Sequence, residues 1–213
     1  MLLVVQLNAS PSTPTHGTHR TENITDWALT HYQNHYKDNT ITKWAIFYYT
    51  YGLLHHPDYC EKYVANLKRE LPRLAMAPDF GSFSKSGEKL ADLHLNYEQQ
   101  APYPLKMIEN PKVQFSLKVE KMRLSKDKRQ LTYNDFLRLE GIPKAVFNYK
   151  LGNSEALEWV IEQYRVKIDK RSGIINEPNR EEDEGYIMEL MKKIITVSLE
   201  TIKVVLTLDD LVL

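Results

Sequence analysis

Apolar side chains recur at helical spacing through the first half of the chain. Tyr59, Tyr63 and Leu67, for example, lie four residues apart and would share one face of a helix. Each such stripe predicts a helix that buries one side and exposes the other. We predict four helices in this half: Trp27 to Tyr36, Thr42 to His55, Pro57 to Glu70 and Phe83 to Tyr97.

The pattern changes to a period of two beyond Pro104. Val113, Phe115, Leu117 and Val119 alternate with polar residues, which predicts a half-buried strand. A charged turn at residues 126–129 follows. Two more strands are predicted, one around Leu131 and Tyr133 and one around Val146, Phe147 and Tyr149.

The C-terminal third returns to helical spacing. Ser154 is predicted to cap a helix that runs to Tyr164, and residues 166–168 read as a short strand that enters a turn at Gly173. A long helix is predicted from Ile187 to Val205. The sequence therefore predicts an α+β fold, with a helical N-terminal half, a small and mostly antiparallel sheet in the middle, and a long C-terminal helix.

Composition shifts along the chain suggest three parts. Residues 1–23 combine a strand-like apolar start, Met1 to Leu7, with a linker rich in Ser, Thr and Pro. Residues 24–100 form a helical subdomain, and residues 101–213 form an α+β subdomain that we expect to pack with it as one domain. The apolar start leaves three origins open: an excised piece, a split subunit or a remnant of a longer gene.

Overall charge gives no sign of the partner. The 213 residues carry 28 basic and 28 acidic side chains, so any surface for a polyanion must arise from local segregation. The single cysteine, Cys60, excludes an internal disulfide and fits a reducing cytoplasm. The apolar start is too short to span a membrane.

Charge is segregated in the middle of the chain. From Lys112 to Lys150 there are ten Lys or Arg residues against four Asp or Glu residues. A second group of cations, Lys167, Lys170 and Arg171, flanks the turn at Gly173. Such clusters can neutralise phosphates and release counterions from DNA, although an ordinary solvated sheet face remains the alternative.

The sequence lacks the motifs that nucleotide hydrolysis, adenine methylation and metal-dependent cleavage require. The sequence has no Gly-rich loop that ends in Gly-Lys-Ser/Thr and no Gly-x-Gly cofactor loop. Residues 176–179, Asn-Glu-Pro-Asn, lack the second proline and the aromatic ring that would hold a flipped adenine. His31 and His35 share a helix face but have no third metal ligand, so we predict no metal site.

Several blocks of the sequence resemble one known family. They are ITKWAIFYYTYGLLH from Ile41, NLKRELPRL from Asn66, GEKLADLHLNYE from Gly87, Gly141-Ile142-Pro143, and SEALEWVIEQYRVKIDKRSGIINEPN from Ser154. In this order they resemble the C-terminal target-recognition region of type ISP restriction–modification enzymes, over about Ile24 to Leu206. The resemblance implies a DNA target-recognition domain without catalysis of its own, which serves an adjoining adenine-N6 methyltransferase and a nuclease and motor.

The resemblance also implies the partners and cofactors. We expect double-stranded DNA and the adjoining methyltransferase and helicase domains as partners, and a cytoplasmic location. S-adenosylmethionine, ATP and Mg would belong to the parent enzyme only, with no cofactor in this chain. The alternative is an interaction module that docks on the methyltransferase or motor domains without reading DNA. From charge and predicted exposure we expect these DNA contacts: Lys118, Lys121, Arg123, Lys126, Lys128, Arg129, Lys167, Lys170 and Arg171.

Overall fold

A computed structural model describes residues 22–120 and 122–213, in which helices precede and follow a small antiparallel sheet. The predicted α+β fold is confirmed, while the strand predicted at Met1 to Leu7 lies outside the described residues. The helices are α1 Asp26–Tyr36, α2 Lys43–Leu53, α3 Pro57–Lys62, α4 Val64–Leu67, α5 Phe80–Leu95, α6 Ala156–Tyr164 and α7 Tyr186–Asp209. The strands are β1 Lys106–Glu109, β2 Arg123–Leu124, β3 Gln130–Thr132, β4 Leu137–Glu140, β5 Lys150–Leu151, β6 Ser154–Glu155, β7 Lys167–Ile168 and β8 Ile175–Asn176.

The described chain divides into two compact units. Unit 1 comprises residues 22–91 with Val205–Leu213, and unit 2 comprises Asp92–Val204. Of the described residues, none belongs to a helix long and apolar enough to cross a membrane. The nine predicted DNA-contact residues all fall within the sequence range of unit 2.

Unit 1 begins with two well-capped helices. The Thr25 and Thr42 hydroxyls accept hydrogen bonds from backbone N–H groups three residues on, at 3.1 Å in each case, which satisfies donors that a helix start leaves free. The predicted helices here are confirmed, except that the third is broken at Tyr63 into α3 and α4. The residues after α4 are irregular up to α5, which begins at Phe80.

Tyrosine hydroxyls hold the extended segment between α4 and α5. Tyr49 donates to the Ala75 carbonyl at 2.6 Å and accepts from the Ala77 N–H at 2.8 Å. Tyr59 donates to the Arg73 carbonyl at 2.7 Å. Both rings are buried, so the tyrosines form a core with satisfied polar tips, as their place on apolar helix stretches predicts.

Helices α2 and α5 approach each other at two glycines. A β-carbon on Gly87 would lie 1.8 Å from the Tyr48 carbonyl oxygen, and one on Gly52 would lie 2.4 Å from the Phe83 carbonyl oxygen. The backbones therefore touch where side chains would normally separate them. Only glycine fits at this crossing.

Unit 2 is built around a four-stranded antiparallel sheet in the order β1-β4-β3-β2. Leu131 pairs with Leu139, and both point into a core that α6 and α7 complete with Leu157 and Met191. Strand residues alternate between the two faces, and Thr132 and Arg138 are exposed on the opposite face. Two short hairpins, β5–β6 and β7–β8, extend this unit.

Two strand predictions and one helix-cap prediction were wrong. Residues 113–119 are irregular, although their apolar residues alternate, because Asn side chains rather than a neighbouring strand satisfy much of their backbone. Residues 144–148 form a 3₁₀ helix, and Ser154 lies in β6, so Glu155 occupies the N-cap position of α6. Strand β1 was missed. Its pairing with β4 is a long-range contact that local alternation does not reveal.

Candidate functional site

The turn between β2 and β3 carries the centre of the predicted basic surface. Ser125 and Gln130 close it through a backbone hydrogen bond of 2.9 Å, and the Ser125 hydroxyl donates to the Asp127 carboxylate at 2.6 Å. The Asp127 carboxylate, the one acid of the turn, is therefore occupied locally, and these hydrogen bonds hold its pKa below the usual value. Lys126 and Arg129 remain exposed at the tip.

Lys128 is turned away from this tip toward helix α6. It adopts a left-handed backbone conformation with φ of 58°, which is unusual for a residue with a β-carbon. Its ammonium pairs with Glu155 and with Glu158, the latter at 2.8 Å, and lies 5.0 Å from the centre of the Phe147 ring. The Lys128 ammonium thus has three partners within unit 2.

Substitutions at Lys128 should separate its charge from its backbone strain. Lys128→Ala is expected to lower the free energy of unfolding by about 1 kcal/mol, because it removes two partly exposed ion pairs and keeps the strain. Lys128→Gly loses the same pairs but relieves a left-handed strain of about 1 kcal/mol, so it should match the wild type. Denaturant unfolding of the three proteins measures both effects. Equal stability of the alanine and glycine variants would contradict the strained backbone.

The ion pair between Lys128 and Glu155 predicts that stability depends on pH. A hydrogen bond from Lys128 lowers the pKa of Glu155 below its ordinary value of 4.5. A carboxylate with a lowered folded-state pKa contributes stability above its unfolded pKa and loses it as the pH falls through the folded value. The stability difference between wild type and Lys128→Ala should therefore shrink as the pH falls below 4.5. A constant difference down to pH about 2 would contradict this linkage.

The loop that bears Lys118 is held by two asparagines. Asn134 donates to the Ser116 and Lys118 carbonyls at 3.0 and 2.8 Å. Asn179 accepts from the Val119 N–H at 2.7 Å and donates to the Val119 carbonyl at 2.9 Å, as a paired strand would. Lys118 itself is exposed, 3.8 Å from a Glu184 carboxylate oxygen. Asn179, the last residue of the Asn-Glu-Pro-Asn block, therefore acts as a structural clamp.

Strand β7 joins this loop to an open groove. The Val166 N–H donates to the Glu120 carbonyl at 3.1 Å, which joins the residue before β7 to the end of this loop. Arg123, Arg165 and Lys167 line the groove, together with Glu158, and its volume is about 570 Å³. Arg123 and Lys167, which lie far apart in sequence, thus meet at one surface.

The turn between β7 and β8 resembles the first turn in its construction. The Asp169 carboxylate accepts hydrogen bonds from the backbone N–H groups of Arg171 and Ser172, at 2.7 and 2.9 Å. Gly173 adopts a φ of 72°, which glycine does without strain. Lys170 and Arg171 are exposed at the tip of this hairpin.

The sequence prediction omitted two cations, Arg165 and Arg138, that lie near the expected DNA-contact residues in the structure. Arg165 lines the groove with Lys167, and its position two residues earlier in an extended segment already indicated a shared face. Arg138 and Arg123 both lie opposite Thr132, one on each neighbouring strand, which only the strand register reveals. Of the expected residues, Lys121 lies outside the described residues. The roles of the others in DNA binding stay predictions.

Metal chemistry finds no support in the described residues. Residues 22–120 and 122–213 contain no group of three or more His, Cys, Asp or Glu side chains that could hold a metal ion. His31 instead stacks on Trp27, with 5.3 Å between ring centroids. The His55 Nδ1–H donates a hydrogen bond to the Tyr51 carbonyl at 2.7 Å, and burial lowers the pKa of this ring.

Three solved structures resemble this chain closely in fold. An ATP-dependent Type ISP restriction-modification enzyme, LlaBIII, bound to DNA is 32% identical over 81% of this chain, with a TM-score of 0.73. A nuclease-deletion mutant of the Type ISP enzyme LlaGI in complex with a DNA substrate mimic is 34% identical over 83%, with a TM-score of 0.72. DrdV in a DNA complex is 36% identical over 87%, with a TM-score of 0.75.

The chain corresponds to a small part of each of these enzymes. It spans 11% of the LlaBIII chain, 14% of the LlaGI chain and 20% of the DrdV chain. No curated protein matches the sequence significantly. The sequence model described as the Type ISP C-terminal specificity domain matches residues 4–192, and it describes a specificity domain rather than a catalytic one. This match confirms the resemblance seen in the sequence blocks, and the chain belongs to the family of Type ISP C-terminal specificity domains.

Proposed function

We propose that this chain is the DNA target-recognition domain of a type ISP-like restriction–modification enzyme. It binds duplex DNA for an adjoining adenine-N6 methyltransferase and for the nuclease and motor domains. The observation that carries this proposal is the likeness to three enzymes that were solved with DNA, at 32% to 36% identity over most of this chain.

The geometry of unit 2 supports the proposal. Both basic turns use their single acid, Asp127 or Asp169, to bind their own backbone. Four cations of the turns are exposed: Lys126, Arg129, Lys170 and Arg171. Cations that are held on short, hydrogen-bonded turns lose little conformational freedom when they meet a phosphate. A chain with no net charge thereby presents a local surface that suits a polyanion.

The catalytic steps belong to other domains in this proposal. The chain itself performs no catalysis and binds no cofactor, whereas S-adenosylmethionine, ATP and Mg serve the parent enzyme. The full enzyme works in the cytoplasm. The absence of Gly-rich nucleotide loops and of an Asn-Pro-Pro-aromatic motif from the sequence supports this division of labour.

The salt dependence of DNA binding tests the proposal. The chain should bind random duplex DNA weakly, and the affinity should fall steeply with salt, because each neutralised phosphate releases counterions. In the double variant Lys126→Glu/Arg129→Glu, the slope of log Kd against log salt should flatten by about 2. Fluorescence anisotropy of labelled duplex across salt concentrations measures both quantities.

A matched control makes the same change in charge at a different place on the chain. Lys85→Glu/Lys89→Glu alters two exposed cations on α5, outside unit 2, and should leave the slope near the wild-type value. If micromolar protein shows no salt-sensitive binding, the proposed function is wrong. If both double variants flatten the slope equally, the basic turn has no special part in binding.

A second candidate function is docking on another domain of the same enzyme. Trp27 and Leu71 in unit 1 are 75% and 82% exposed, and a partner domain that covered them would remove this apolar surface from water. The double variant Trp27→Ser/Leu71→Ser should then keep DNA binding but lose association with the methyltransferase domain. Co-purification of the two domains, with the basic-turn variant as control, decides between docking and DNA binding as the main role.

A further inference from the structure

The β7–β8 hairpin exposes an apolar face that unit 2 does not use for its core. Ile168 and Ile175 are 63% and 56% exposed and lie directly opposite each other in the strand register. Opposed residues share a face of a two-stranded ribbon, so the two side chains form one patch. Ile174, next along the chain, is 68% exposed. Large apolar side chains exposed together on a short hairpin indicate a binding surface.

Cations outnumber acids around this patch, although Glu162 of α6 pairs with both Arg165 and Lys167 at 2.9 Å. Residues 165–176 contain four cations, Arg165, Lys167, Lys170 and Arg171, and one acid, Asp169. The backbone of the turn already occupies the Asp169 carboxylate. An apolar patch bordered by the exposed cations Lys170 and Arg171 fits a polyanion that carries apolar groups, such as the thymine methyls of DNA.

The hairpin is fixed at its base on both sides. The Val166 N–H bonds to the Glu120 carbonyl at the start of β7, and Asn179 clamps Val119 just after β8. Ile168 also lines the groove that contains Arg123 and Lys167. The apolar patch is therefore continuous with the groove. The hairpin is anchored where it begins and ends.

This inference rests on the proposed function and makes it more specific. We propose that the β7–β8 hairpin enters the major groove of duplex DNA, with Lys170 and Arg171 on phosphates and with Ile168 and Ile175 against thymine methyl groups. The major groove is about 12 Å wide and admits a two-stranded ribbon. Among its edge groups, the C5-methyl of thymine is the apolar one. Isoleucine side chains on one face of the hairpin can make apolar contacts with this methyl group. Hydrogen-bonding side chains would find no partner in it.

The first experiment asks whether the hairpin touches DNA. In a Cys60→Ala background, Ile174→Cys and Leu71→Cys each provide one site for an environment-sensitive dye, and both positions are well exposed. On titration with duplex DNA, the emission of the dye at position 174 should change with the same midpoint as the gel-shift binding curve. The dye at position 71, in unit 1, should not respond.

The two possible failures are distinguishable. If DNA binds but the dye at position 174 does not respond, the hairpin inference is overturned while the proposed function stands. If no DNA binds at any salt concentration, the proposed function itself fails and the inference fails with it.

The second experiment tests the groove and the methyl contact without knowledge of the recognition sequence. An alternating adenine–thymine duplex is compared with the same duplex in which deoxyuridine replaces thymidine. Wild-type protein should bind the thymine duplex more tightly, by about fourfold for each methyl group contacted. In Ile168→Ser/Ile175→Ser this preference should disappear, and unchanged thermal unfolding would show that the fold is intact. Equal affinity of wild-type protein for the two duplexes would overturn the major-groove contact.

Discussion

Gly87→Ala is expected to lower the free energy of unfolding by about 3 kcal/mol or more. The added β-carbon would lie 1.8 Å from the Tyr48 carbonyl oxygen and 2.7 Å from the Gly52 nitrogen. Both are backbone atoms of α2, so no side-chain rotation can relieve the overlap. The two helices would have to separate, which opens the core around Phe83 and Leu90.

Gly81→Ala is the matched control, with the same substitution in the same helix. Its β-carbon would meet only the Asp79 carboxylate at 3.7 Å, an ordinary contact. Because alanine favours helix over glycine, this variant should gain about 0.5 to 1 kcal/mol. The two substitutions thus differ in sign for one physical reason, the distance between the backbones.

Tryptophan fluorescence can follow unit 1 separately. The chain has three tryptophans, of which Trp27 and Trp44 lie in unit 1 and Trp159 lies in unit 2. In a Trp159→Phe background, denaturant unfolding of the two glycine variants reports on unit 1. Similar midpoints for Gly87→Ala and Gly81→Ala would show that the helices do not approach as closely as described.

Asn134→Ala is expected to cost about 2 to 3 kcal/mol, because its amide satisfies four backbone groups at once. It accepts from the N–H groups of Phe136 and Leu137, at 3.0 and 2.7 Å, and donates to two carbonyls of the loop at 116–118. Asn134 is 6% exposed, so water cannot replace these bonds without rearrangement. Backbone groups left unpaired in a buried site cost more than a lost surface hydrogen bond.

The experiment for Asn134 uses Trp159 fluorescence in a Trp27→Phe/Trp44→Phe background, so that unfolding of unit 2 is observed. Asn96→Ala, which removes a hydrogen bond of 2.7 Å to Asp92 at the surface, serves as control and should cost under about 0.5 kcal/mol. Hydrogen exchange at the Leu137 amide should also accelerate in Asn134→Ala. If the Asn134 and Asn96 variants prove equally stable, the hydrogen bonds of the Asn134 side chain contribute little to the stability of unit 2.

The asparagine clamps also connect stability with the proposed function. Asn134 and Asn179 hold the loop that presents Lys118, and Asn179 follows directly on the β7–β8 hairpin. Loss of either amide should therefore loosen a segment that carries an expected phosphate contact. The Asn-Glu-Pro-Asn block, which could be mistaken for an adenine-binding motif, is explained as a connection that fixes the basic loop beside β7.

Local features of the sequence were enough for much of the fold. The helices α1, α2, α5 and α7 follow from apolar spacing and from caps such as Thr25 and Thr42, because these signals act within a few residues. The turns at Asp127 and Asp169 follow from residues that bond their own backbone. The family, too, was identified from ordered sequence blocks, and the α+β fold class from the change of period after Pro104.

Long-range contacts decided the rest. The alternation at 113–119 predicts a strand, yet two asparagines that are distant in sequence hold this segment as a loop. From charge alone, Lys128 is predicted to contact DNA like Lys126 and Arg129. In the structure it pairs with Glu155 and Glu158. Spacing along the chain says nothing about which distant residues meet, so the groove shared by Arg123 and Lys167 is a product of tertiary structure.

The sequence by itself thus determined the family, the fold class, most helices and the two basic turns, since each depends on residues close together in the chain. The tertiary structure alone decided which cations face outward, where glycine is required at the α2–α5 crossing, and that the isoleucines of the β7–β8 hairpin stay exposed. Those outcomes depend on backbones and side chains that meet from separate parts of the sequence. Periodicity and composition carry no information about such meetings.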